Sequence, residues 1–284
     1  MSRPASTESH PPQSEPDPRR RNLAGPGALL GGPANVIMQL SLAPVGRGVV
    51  ESTVDSGRFD LHPRKRGRTT LTYLAVAMLG TDEECEAYRA AVNTSHRHVR
   101  SRPDSPVKYN AFDPELQLWV AACIYQGVVD SLNYLYGPLD EADADELYRE
   151  SARFGTTLQV PPELWPADRA AFAEYWERKS AEVSLDDEVK AYLLGQVVDL
   201  GPYGRLEQLA FRRLNRFFTT GFLPQRFRDE LGLQWGPRRQ RAFELAMRAI
   251  GAVTAAGPEQ WRLYPLNRHL ADMRRRRALG KPLV

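Results

Sequence analysis

The chain has 284 residues, enough for one or two domains with a sizeable buried core. Hydrophobic residues make up 42% and charged residues 26%, as in ordinary globular chains, and the net charge is +3, unevenly placed. Two cysteines, Cys85 and Cys123, exclude a disulfide-dense scaffold and a zinc site with paired Cys ligands, and they fit a reducing compartment. No N-terminal apolar segment resembles a signal peptide, and the longest uninterrupted apolar run is Leu118 to Tyr125. That run is far short of the ~20 residues a spanning helix needs. A cytoplasmic location is expected, with peripheral membrane contact as the alternative.

Residues 1–21 are rich in Pro, Ser and charge, lack apolar periodicity and read as a disordered tail ending in the Arg19-Arg20-Arg21 cluster. Residues 22–33 are punctuated by Gly and Pro and read as an ordered entry loop. From Asn35 to Val54 the pattern is helical, with a break at Pro44 and Glu51 near the end. After a loop over 55–65, residues 66–100 predict two helices joined by a tight turn at Gly80-Thr81. In the first, Leu71, Leu74, Ala75, Met78 and Leu79 form one apolar stripe, while Arg66, Thr70 and Tyr73 share a polar face. The second opens with Thr81 three residues before Glu84, the capping-box spacing.

The buried stripe of that second helix runs through Cys85, Tyr88, Val92 and Val99, and His96 falls on it while His98 points away. A neutral imidazole on an apolar helix face is suited to haem iron. By pattern alone, a hydrogen-bonded core histidine is the commoner outcome. A loop over 102–112 follows. Asp113-Pro114-Glu115 then gives a clear helix start, with an N-cap, a first-position proline and a first-turn acid. That helix reaches about Leu135, stops before Gly137-Pro138 and is apolar nearly all round, so it should be central. Its polar exceptions, Gln126, Asp130 and Asn133, share one face, and a solvated face is the commoner reading of such a stripe.

Further helices are expected near 140–154, 166–182, 185–198, 206–219, 225–232, 236–255 and 265–279, with caps at Asp140 and Ser184. The run Arg274 to Arg277 reads as a solvated helix end. No strand-length alternation, repeat, phosphate loop, nucleophile elbow or HExxH pattern occurs. The expectation is an all-α, single-domain multi-helix bundle over residues 22–284.

Several landmarks occur in a specific order: GPG at 25–27, Arg66-x-x-x-Thr70, LGT at 79–81, HRHVR at 96–100, DPELQLWV at 113–120 and YGPL at 136–139. In that order and spacing the chain resembles the haem-dependent oxygenases typified by MpaB and by latex clearing protein, the rubber oxygenase. The resemblance spans roughly residues 25–280 and is strongest to members of the mycobacterial and actinobacterial branch without assigned function. It implies a haem pocket inside the helical bundle. His96 matches the histidine that binds haem b iron on the proximal side, and Arg66 and Thr70 match pocket residues of the preceding helix. Gln126 is a further cofactor-binding candidate, at a position where relatives often carry an acid. Two positions depart from the pattern. Thr69 stands where rubber oxygenase has a Lys able to cap the iron, and Ala121 where many relatives have a His.

The resemblance implies an oxygenase that uses haem b and dioxygen on a small apolar substrate, isoprenoid or terpenoid in character, by oxidative cleavage of a carbon–carbon double bond or by oxygenation. Glu51 is the acidic candidate for general base, alongside Arg66 and Thr70 as catalytic candidates. The alternative from another class is a haem- or lipid-binding helical protein without turnover. A regulator that contacts nucleic acid through its terminal arginines is disfavoured, because no helix-turn-helix signature is present.

Overall fold

The structure, a computed structural model, describes residues 24–54 and 58–284. The expected tail, with Arg19 to Arg21, lies outside the described residues. Among the described residues the fold is all-α, and its one β feature is an isolated antiparallel bridge between Arg100 and Asn110. None of the described helices is by itself long and apolar enough to cross a membrane.

The chain enters through a 3-10 helix, Gly25–Gly31, where the sequence predicts a loop. α1 (Gly32–Leu40) and α2 (Ala43–Val50) follow. Pro44 opens α2 rather than breaking a longer helix, because its missing N–H costs nothing at the first turn. α3 (Pro63–Leu79) and α4 (Asp82–His96) meet at the Gly80-Thr81 turn. The capping box is formed: Glu84 N–H donates to Thr81 Oγ1 at 3.2 Å, and Thr81 N–H donates to Glu84 Oε2 at 2.9 Å.

α5 (Pro114–Tyr136) is capped by Asp113, whose Oδ1 accepts the Glu115 N–H at 2.9 Å. It ends at Gly137, whose φ of 99° is a conformation that favours glycine. α5 is surrounded by the 3-10 helix, α1, α6 (Glu141–Ser151), α7 (Arg153–Thr156) and α12 (Pro237–Ala256). Its side chains Leu118, Trp119, Ala121, Ala122 and Cys123 are buried, as an all-round apolar helix requires. Trp119 stacks on Trp176 of α8 (Arg169–Ala181), with ring centroids 5.4 Å apart.

α9 (Asp187–Tyr192) runs on into a π turn, Leu193–Val198, and the chain continues as α10 (Arg205–Phe222), α11 (Gln225–Leu231), α12, α13 (Glu259–Leu263) and α14 (Leu266–Ala278), with α10 and α13 against α12 and α14 against α3. The expected cap at Ser184 is replaced by Asp186, which accepts the N–H groups of Glu188 and Val189 at 3.0 Å each. Tertiary partners take the earlier donors, since Ser184 N–H goes to Ser41 O and Leu185 N–H to Glu230 Oε2.

A second, smaller core joins α3, α4 and α14 through Ala75, Val76, Cys85, Tyr88, Leu270 and Met273. Here the arginine run departs from a solvated helix end. Arg274 bonds Glu84 through Nε at 2.6 Å and Nη2 at 3.1 Å, and Arg277 pairs with Glu83 at 2.6 Å. Arg275 and Arg276 both pair with Asp272. The acids of the first turn of α4, favourably placed at a helix N-terminus, thus also hold the C-terminal helix.

α12 crosses α5 so closely that a Cβ on Gly251 would lie 2.0 Å from the Leu135 carbonyl oxygen. Gly67, on α3, has open space at the same test. Gly251→Ala is therefore expected to lower stability by at least about 2 kcal/mol in thermal or urea unfolding. Gly67→Ala should raise it by roughly 0.5–1 kcal/mol, through helix propensity alone.

Candidate functional site

Four helices turn one face each toward a common cavity of about 350 Å³. α1 presents Gly32, Asn35, Val36 and Gln39, and α3 presents Arg66, Thr69, Thr70, Tyr73 and Leu74. α4 contributes Tyr88, Val92, Ser95 and His96, and α5 contributes Val120, Ile124, Gly127, Val128 and Ser131. Each set follows the three-and-four spacing of one helix face, so the cavity is built by helical periodicity from four separate segments. Gly127 lets α1 approach α5 closely. A Cβ on Gly127 would meet Asn35 Nδ2 at 2.2 Å, so α1 sits directly on it. Asn35 Nδ2 donates to the Cys123 carbonyl at 2.6 Å, and Gln39 Nε2 donates to Asn35 Oδ1 at 2.6 Å. The walls are otherwise mainly aliphatic.

His96 is the last residue of α4 and lies at the cavity wall, with the Phe112 ring edge-on at 6.4 Å. Its Nδ1 is buried without a hydrogen-bond partner, an arrangement that costs about 1–3 kcal/mol when nothing else satisfies the atom. Burial, with a further push from the charge of Arg66, lowers its pKa to about 4. The ring is therefore neutral near pH 7 and keeps a lone pair to give. The hydrogen-bonded core histidine expected from pattern alone is not what the fold contains. His98 is exposed, as its position away from the stripe predicts.

Arg66 lines the cavity, and the residue as a whole is exposed. Burial pushes its pKa down, partly offset by Tyr192 and Tyr88, and among the described residues no carboxylate pairs with it. An uncompensated guanidinium in an apolar cavity is a strong site for an anionic group. The wall around it is fixed by a short network. Thr69 Oγ1 donates to the Arg66 carbonyl at 3.0 Å, and Tyr88 OH donates to the Thr69 carbonyl at 2.8 Å, which ties α3 to α4. Tyr73 OH donates to the Phe154 carbonyl, joining α3 to α7. Thr70 lines the cavity one turn from Arg66. His96, Arg66 and Thr70 are thus brought together, although they come from two helices.

Glu51 is not among the cavity residues. Its Oε2 accepts hydrogen bonds from Ser105 Oγ at 2.6 Å and Tyr109 OH at 2.9 Å, and Arg47 lies 3.8 Å from Oε1. Position in the sequence placed it near the site, but α2 turns it toward the 101–109 loop, so the general-base assignment is withdrawn. Gln126 does not line the cavity either, since it lies one residue before Gly127 and faces Asp130, to which its Nε2 donates at 2.9 Å. The face of α5 that carries Gln126, Asp130 and Asn133 is part-buried rather than solvated. Ala121 is fully buried and away from the cavity, whereas Thr69 stands at its wall.

Asn35, Gln39, Ser95, Ser131 and Arg262 also line the cavity and were not anticipated. For Asn35 and Gln39 a signal existed, two amides four residues apart on an otherwise apolar helix. Nothing local in the sequence marks Arg262.

The model of the family described as "ER-bound oxygenase mpaB/B'/Rubber oxygenase, catalytic domain" matches residues 19–252, most of the chain. The chain belongs to this oxygenase family. Two relatives, uncharacterized proteins of Mycobacterium bovis and Mycobacterium tuberculosis, are each 47% identical over 252 residues, covering 88% of this chain and 98% of theirs. No solved structure matches. The matched segment contains α1, α3, α4 and α5, and so all four main walls of the cavity. Arg262 and Tyr264, which line the cavity beyond residue 252, are additions from outside the family match.

Asp130 offers a test of the interior polarity beside the site. Burial raises its pKa from 3.8 to about 7, opposed only by the Gln126 hydrogen bond. The folded state therefore holds a proton that the unfolded chain has released, and folding stability falls as pH rises from about 4 through 7. Asp130→Asn should be more stable than the parent at pH 8 by a few kcal/mol, at about 1.4 kcal/mol per pKa unit. Denaturant unfolding at pH 8 and at pH 4 should show that difference vanish at the lower pH.

Proposed function

We propose that this chain is a haem b-dependent oxygenase that uses dioxygen on an apolar substrate of isoprenoid or terpenoid character. The observation that carries this reading is the neutral His96 at the wall of an apolar cavity, beside an Arg66 that no carboxylate balances. Among the described residues no group of three or more His, Cys, Asp or Glu side chains could hold a bare metal ion. Haem brings its own ring nitrogens and would need one further ligand from the protein, which the neutral His96 would supply. The donor set therefore fits haem better than it fits a free ion.

When bound, haem would supply the dioxygen chemistry. His96 would hold it through the imidazole nitrogen open to the cavity, since Nδ1 is enclosed. Arg66 would pair with an anionic edge of the cofactor, and the Thr70 hydroxyl would be available as a hydrogen-bond donor beside it. The aliphatic walls from α3, α4 and α5 would orient an apolar chain and exclude water. Thr69 has no amine and would offer the group no ligand. A binding protein without turnover is the second reading, favoured by one observation. The described cavity wall carries no Asp or Glu to take a proton from a substrate.

Absorption spectroscopy of the protein expressed with haem supply, beside His96→Ala, tests the cofactor. A Soret band lost or strongly shifted in the variant is expected, and no Soret band in the parent even after reconstitution would sink the reading. Arg66→Ala should retain the band but weaken haem affinity by roughly 10- to 100-fold, the worth of one charge-assisted contact. Oxygen consumption with an unsaturated apolar substrate then separates turnover from binding.

A further inference from the structure

α10 is 18 residues long, and its two halves behave differently. Phe218, Thr219, Thr220, Gly221 and Phe222 at its C-terminal end are buried, whereas Leu206 and Leu209 are 83% exposed and Leu214 is 52% exposed. Single exposed leucines are ordinary on a protein surface, but these share one helix with a concentration of arginine. Leu206, Leu209 and Arg213 follow the i, i+3, i+7 spacing of one outward face, with Arg205, Arg212 and Arg216 along one flank and Leu214 along the other. The inward side of this half carries Gln208 and Asn215, whose amides donate to the carbonyls of Tyr203 and of Val197 and Val198, while Phe211 is 56% exposed beside Leu214 and Glu207. Its polarity is therefore inverted relative to a surface helix of a globular protein, with two amides toward the fold and leucines toward solvent.

The charge on this helix is one-sided. α10 has four arginines and one acid, and that acid, Glu207, is taken by Arg64 of α3 at 3.0 Å. Arg216 pairs with Asp199 at 3.3 Å, while Arg205, Arg212 and Arg213 form no ion pair among the described residues. Leucines flanked by unpaired arginines on one helix surface are the chemistry of a helix that lies in a lipid interface. Apolar side chains enter the acyl boundary and guanidinium groups meet anionic headgroups. The bond from Arg64 to Glu207 fixes this half of α10 beside the start of α3, two residues from Arg66 at the cavity.

We propose that the N-terminal half of α10, through Leu206, Leu209 and Leu214 with Arg205, Arg212 and Arg213, docks the protein on the surface of an anionic lipid bilayer. The face stands on its own exposure and charge and does not depend on the cofactor assigned above. A protein held there would have its cavity close to the phase in which apolar molecules accumulate.

Flotation of the full chain with vesicles of phosphatidylcholine, with and without phosphatidylglycerol, tests the proposal. The parent should float with the anionic vesicles, at least tenfold more than with phosphatidylcholine alone, and should be released as salt is raised. Leu206→Asp combined with Leu209→Asp should abolish flotation with no loss of thermal stability, because both side chains are outside the core. Arg205→Gln, Arg212→Gln and Arg213→Gln together should remove the anionic preference while the leucines remain. Flotation that persists in the double aspartate variant, or no flotation of the parent on either vesicle, would overturn the proposal. A solution dimer of the parent, dissolved by the same two substitutions with no vesicle binding, would overturn it in favour of a second copy of this chain.

Discussion

A helix that is apolar nearly all round cannot lie at a surface, and α5 imposes that constraint on the rest of the molecule. Its 23 residues must be enclosed, and α1, α6, α7, α12 and the 3-10 helix do so. Close enclosure needs small residues at the crossings. Gly251 of α12 lies against the Leu135 carbonyl, and Gly127 of α5 lies under Asn35. The cavity is the remainder of the same packing problem. Between α1, α3, α4 and α5, space is left that mainly aliphatic side chains line but do not close.

Within that space two groups are out of electrostatic balance. The enclosed nitrogen of His96 has no partner, and the guanidinium of Arg66 has no carboxylate. The unsatisfied nitrogen costs stability, and the charge of Arg66 adds to burial in keeping His96 neutral. Both side chains lie at the wall of the same cavity, where His96 is neutral and Arg66 has no carboxylate partner among the described residues. Membership of the oxygenase family agrees with that arrangement at the level of the reaction class.

The acidic start of α4 shows how one short segment serves several levels of structure. Glu84 closes the capping box with Thr81, and its carboxylate also accepts two bonds from Arg274. The Arg274 bonds hold its carboxyl below the usual carboxylate range. The helix that ends in His96 is thereby anchored at its beginning both to its own backbone and to the C-terminal helix. A local feature legible in sequence thus acquires a long-range partner, Arg274, that local reading had assigned to solvent.

Sequence by itself determined the helical class, the capping box at Thr81 and Glu84, the start of α5 at Asp113, the centrality of α5 and the placement of His96 on an apolar face. All of these rest on interactions within one or two helical turns, which residue spacing encodes directly. The order of landmarks along the chain also indicated the family. Only the tertiary structure decided that Arg66 and Thr70 share a cavity with His96, that Glu51 is turned toward Ser105 and Tyr109, and that Gln126 bonds Asp130 instead of facing the cavity. It also decided that Asn35, Gln39 and Arg262 belong to the wall and that the leucines of α10 point outward. These outcomes depend on how helices far apart in the chain rotate and cross. Helical periodicity fixes which residues share a face, but not which neighbour that face meets.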